Sequence, residues 1–105
     1  MATRDGLLIH EECEHTVVNM TDNTTTVHAG PALLVGIYVN IVLSANACEI
    51  ENVAGTTVAT LPASLAAGTN IDFHGLRFPD ALIINPADAA ASGQITVLWR
   101  RVNPG

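Results

Sequence analysis

Hydrophobic and polar residues alternate along this chain with a period of two, and the alternation is clearest in its middle third. Leu33, Val35, Ile37, Val39, Ile41 and Leu43 fall on one face of an extended segment, with Leu34, Gly36, Tyr38, Asn40, Val42 and Ser44 on the other. Alternation of this kind, with β-branched residues prominent, predicts a central β-strand. The period returns near the end, where Ile95, Val97 and Trp99 alternate with Gln94, Thr96, Leu98 and Arg100. Cys48 and Ile50 alternate with Glu49 and Glu51, and Asn52-Val53-Ala54-Gly55 then turns the chain into Thr56 to Leu61, which predicts a hairpin. Ile71 and Phe73 alternate with Asp72 and His74, and Gly75 predicts a bulge or bend before Leu76-Arg77-Phe78. Pro79-Asp80 and Asn85-Pro86 bracket a further strand at Ala81 to Ile84. Thr16 to Thr21 and Thr24 to His28 are threonine-rich and read as edge strands around a turn at Asp22-Asn23.

Only Ala63 to Ala67 and Ala87 to Ala91 favour helix, and both are shorter than an isolated helix needs, so each predicts at most one turn. The pattern therefore predicts an all-β fold: a single antiparallel β-sandwich or jelly-roll-like barrel of about seven or eight short strands. Residues 1–15 fit no strand pattern well and are expected to form an extended N-terminal arm, with the sandwich domain at 16–105.

Composition narrows the function. At 105 residues there is room for one domain. Hydrophobic residues make up 49% and charged residues only 13%, about half the usual quarter, which excludes disorder for most of the chain and implies an apolar surface that meets a partner. There is no lysine, the basic side chains are Arg4, Arg77, Arg100 and Arg101, and the net charge is −6. Nucleic-acid binding needs a basic stripe to displace counterions, and anionic membranes attract the same kind of surface, so neither is an expected partner. The opening residues lack the apolar run of a signal peptide, and the apolar stretch from Pro31 to Leu43 is too short to cross a bilayer. Cys13 and Cys48 are expected to be free thiols of a protein made in a reducing cytoplasm.

Chemistry-bearing residues are sparse. His10-Glu11-Glu12-Cys13-Glu14-His15 holds residue types that ligate zinc, but its histidines are five apart and no second ligand pair completes a tetrahedral site. It reads as a solvated acidic segment. Ser44, Ser64 and Ser92 lie outside any nucleophile elbow, and Cys48 falls at a core-facing position that makes a thiol inert. Glu49 and Glu51 share a strand face, where a solvated pair is expected rather than acid–base work across a cleft. His28 and His74 border strand ends and read as rim histidines. No enzyme, cofactor, metal or small-molecule substrate is expected. Trp99 belongs to the inward series and reads as core, with a subunit-contact anchor as its alternative. Arg100 and Arg101 are candidates for pairing with a neighbour's carboxylates, and Leu7-Leu8-Ile9 is an apolar triplet suited to lying along a neighbour.

The stretch from His28 to Arg101 resembles a group of small virion proteins of tailed bacteriophages. The resemblance is carried by His28-Ala29-Gly30-Pro31 leading into Leu33 to Asn40, by Thr57 to Ala63, by Asp72 to Phe78, by Ala81 to Ile84 and by Gly93 to Arg100. It implies a capsid decoration (cement) protein on the outer surface of a phage head, a homotrimer whose partner is the major capsid protein, made in the bacterial host cytoplasm. The alternative is a tail, baseplate or fibre module, or a carbohydrate-binding β-sandwich.

Overall fold

The computed structural model describes residues 13–21, 24–45, 47–53, 56–86 and 92–102. They form eight strands: β1 (Glu14–Asn19), β2 (Thr25–His28), β3 (Ala32–Ile41), β4 (Cys48–Glu51), β5 (Thr57–Leu61), β6 (Asn70–Phe78), β7 (Leu82–Asn85) and β8 (Gln94–Arg101). Two four-stranded sheets result, the first in the order β1-β8-β3-β6 and the second in the order β2-β7-β4-β5.

The pairing has a simple logic. β1 pairs with β8, β2 with β7, β3 with β6 and β4 with β5, all antiparallel. These pairs make one long ribbon whose tip is the local β4–β5 hairpin. Rolling that ribbon brings β3 against β8 and β4 against β7. This is the jelly-roll arrangement, in which two Greek keys close a sandwich. The threonine-rich β1 and β2 are edge strands, as their composition predicts, and β3 and β8 are interior.

Alternation places the core between the sheets. Leu34, Ile37, Val39, Ile95 and Val97 of the first sheet face Ile50, Leu61, Leu82 and Ile84 of the second, all with no exposed surface. Each such side chain contributes about 1.5–3 kcal/mol by leaving water. Phe78 fills the remaining space, and Ile71, Phe73 and Leu76 pack on the margin.

Two features depart from the simple period. In β3, two steps from Leu34 to Gly36 match one step from Trp99 to Leu98, so Val35 is an extra residue. The inward set is therefore Ala32 and Leu34, then Ile37 and Val39, rather than Leu33, Val35, Ile37 and Val39 in one row. A second irregularity between Val39 and Ile41 leaves Ile41 exposed and returns Leu43 to the core. The other departure is Glu51, which is 2% exposed and not solvated. A bulge between Ile50 and Glu51 breaks the alternation there, and the Asn85 amide donates to Glu51 Oε2 at 2.9 Å. A buried carboxylate requires that kind of partner.

The bulge expected at Gly75 is present: β3 advances from Leu34 to Gly36 while β6 runs from Leu76 to Asp72. His74 and Gly75 both take left-handed backbone there, at φ 55° and 74°. Neither Ala63 to Ala67 nor any other described segment is helical, and the second helix candidate, the Asp22-Asn23 turn and most of residues 1–15 lie outside the described residues. β1 already begins at Glu14, two positions before the boundary expected at Thr16.

Candidate interaction surface

The outer face of the first sheet is built in cross-strand rows. Gln94, Thr96 and Leu98 of β8 each have a neighbour on β1 and on β3, because antiparallel partners point to the same side. The first row is a ladder of uncharged amides: Gln94 Nε2 donates to Asn19 Oδ1 at 2.8 Å, and Asn40 Nδ2 donates to Gln94 Oε1 at 3.2 Å and to Thr96 Oγ1 at 2.7 Å. Next comes Val17–Thr96–Tyr38–Asn70, then His15–Leu98–Gly36–Asp72. The last row sets Leu33 between Arg100 on β8 and Arg77 on β6.

The exposed apolar side chains of this face gather toward the end of the amide row. Val17 is 51% exposed, Tyr38 43% and Ile41 52%, with Val42 beside it at 55%. Leu33, Val35 and Leu98 are half-buried. Its charges collect at one end, in Asp72, Arg77 and Arg100.

The edge next to that end carries a second cluster. Trp99 is buried, 4% exposed, and its Nε1–H donates to Thr16 Oγ1 at 3.0 Å. His28 of the second sheet stacks on it, with ring centroids 4.8 Å apart. The Arg101 guanidinium stands 5.9 Å from the Trp99 ring and pairs with Glu14 at 3.2 Å. Of the two readings of Trp99, its burial among residues of its own chain fits core. Arg101 finds its carboxylate within the chain, on an exposed pair that contributes at most about 1 kcal/mol. Leu7, Leu8 and Ile9 lie outside the described residues. The strand register separates Arg100 from Arg101, a distinction that adjacency in sequence hides.

Comparison of the chain with protein families, with curated proteins and with solved structures found no match in any of the three. The site must therefore be read from its own chemistry.

That chemistry is sparse elsewhere. Cys13 and Cys48 are free thiols. Burial pushes the Cys48 thiol up to about 12, with Glu49 and Glu51 adding to the shift. Partial burial also raises Cys13. No described cluster of three or more His, Cys, Asp or Glu could hold a metal; His10 of the acidic segment is outside the described residues, while His15 lies exposed opposite Leu98. Glu49 accepts a hydrogen bond from the Thr57 hydroxyl at 2.9 Å and Glu51 from Asn85, so the two carboxylates are engaged separately. His28 is a half-buried stacking residue, while His74 is exposed and pairs with Asp72 at 3.5 Å.

Proposed function

We propose that this chain is a structural virion protein, a decoration protein that covers the outer surface of a tailed-phage head and stabilises the shell through protein–protein contacts. The observation that carries the reading is the set of exposed apolar side chains Val17, Tyr38 and Ile41, with Val42 beside them, at the end of the first sheet's outer face opposite the arginines. Exposed apolar side chains gathered on one part of a compact domain favour a contact surface.

Jelly rolls serve as shell proteins, lectins and cupins, so the fold alone does not choose among these. The surface favours the first. Sugar recognition relies on exposed rings, and of the four aromatic side chains Trp99 and Phe78 are buried, Phe73 is half-buried and only Tyr38 is open. A cupin-type site needs an interior lined by ligands, and here the interior is filled by Leu, Ile and Val. Many modest contacts suit a protein used in many copies, because linked copies multiply weak binding through effective concentration. The partner in this reading is the major capsid protein, and the working assembly is a homotrimer.

The test is the copy number of this chain in purified particles, by quantitative mass spectrometry against the major capsid protein. Near-stoichiometric amounts support shell decoration. A few copies per particle would move the protein to the tail, and absence would overturn the virion role.

A further inference from the structure

The row Arg100–Leu33–Arg77 is a basic end on an acidic protein. Adjacent strands lie about 4.8 Å apart, so the two arginines flank Leu33 across about 10 Å. Arg77 is exposed, Arg100 is half-buried, and neither forms an ion pair among the described residues. Behind them stand half-buried Val35 and Leu98. The surface thus combines two unpaired guanidiniums with an aliphatic floor, and its complement is an extended segment carrying both carboxylates and aliphatic side chains.

The chain contains one such segment. Residues 5–12 read Asp-Gly-Leu-Leu-Ile-His-Glu-Glu, an aliphatic triplet between an aspartate and two glutamates. They lead to Cys13, which precedes β1 and feels the charge of Arg100. His10-Glu11-Glu12-Cys13 contains none of the residues that turn a chain back on itself, Gly, Pro, Asn, Asp or Ser.

We infer that residues 5–12 of one copy dock on the Arg100–Leu33–Arg77 end of a second copy, the glutamates on the guanidiniums and Leu7-Leu8-Ile9 on Leu33, Val35 and Leu98. Donor and acceptor are different patches, so the contact is heterologous, the kind that builds a ring when its rotation closes. The inference does not rest on the virion reading, because it is read on the purified protein alone. It leaves the Val17–Tyr38–Ile41 end free for another partner.

Sedimentation velocity tests it with three chains: the full sequence, a deletion of residues 2–12, and Arg77→Ser/Arg100→Ser. The full chain is expected to form a discrete oligomer that weakens at least about tenfold at high salt, where exposed ion pairs are screened. Each variant alone is expected to sediment as a monomer with an unchanged circular dichroism spectrum. Mixed, the two variants are expected to form a one-to-one dimer, since one supplies the arginines and the other the segment. A monomeric full chain would overturn the inference. So would an oligomer that survives either change, or a mixture that stays monomeric, which would put the segment on its own sheet or leave the row to a different partner.

Discussion

His28 lies on Trp99 with ring centroids 4.8 Å apart and planes inclined by 28°. The pair joins an edge strand of one sheet to an interior strand of the other, so it clamps the sandwich where β1 and β2 leave it open. A stacked ring pair contributes about 0.5–1.5 kcal/mol beyond the area it buries. His28→Ala is expected to lower the melting temperature by several degrees and shift Trp99 emission to the red. Thermal unfolding followed by fluorescence reads both, and an unchanged emission maximum would show that the ring is not shielded by the imidazole.

The indole N–H of Trp99 is satisfied by the Thr16 hydroxyl, across the β1–β8 pair. Thr16→Val removes the acceptor and leaves a buried donor unpaired, at about 1–3 kcal/mol. In a Trp99→Phe background the same substitution is expected to cost little, because the donor has gone. Denaturant melts of the four proteins in a double-mutant cycle measure the difference; equal costs in both backgrounds would mean that the hydrogen bond contributes nothing.

Gly93 has φ 108°, and a Cβ placed there would stand 2.7 Å from the Val42 carbonyl oxygen and 2.8 Å from Leu43 Cδ2. Gly93→Ala combines backbone strain with a clash and is expected to cost about 2–4 kcal/mol. Gly75 has φ 74°, and a Cβ added to it would meet nothing within 4 Å. Gly75→Ala therefore carries backbone strain only, about 1–2 kcal/mol. Urea midpoints should rank Gly93→Ala well below Gly75→Ala, and the reverse order would contradict the packing described around the start of β8.

Cys48 gives a pH prediction. Its thiol is pushed from an ordinary 9.0 up to about 12 by burial, so the folded chain holds the proton when the unfolded chain has released it. Stability is then complete below pH 9 and falls between pH 9 and 12, at about 1.4 kcal/mol per pH unit from this group. Cys48→Ala is expected to flatten that fall while costing packing at neutral pH. At about pH 8, below the ordinary thiol range, a thiol reagent should label half-buried Cys13 in the folded protein and reach Cys48 only after unfolding. Equal labelling rates would show that Cys48 is accessible.

The strands are legible in the sequence because each carries its own alternation: the eight segments, the β4–β5 hairpin and the bulge at Gly75 are all local signals. The faces are less so. Nothing in Leu33-Leu34-Val35-Gly36 tells that Val35 is an extra residue, since the slip is defined by β8, which advances one residue where β3 advances two. Glu51 reads as solvated until Asn85 arrives from β7. The His28–Trp99 stack and the Arg100–Leu33–Arg77 row each join strands that only the roll of the ribbon brings together. What the pattern misses is thus the product of register, which is settled between strands and not within them.

The rolled ribbon also orders events during synthesis. Only β4 and β5 can pair with a strand that has just been made. β3, the longest and most aliphatic strand, gains one flank when β6 emerges and the other only with β8, while β1 waits for β8 with Glu14 opposite Trp99. Pairings between such distant segments are slow to form. Until β8 is made, the greasiest strand of the nascent chain is therefore only half-paired.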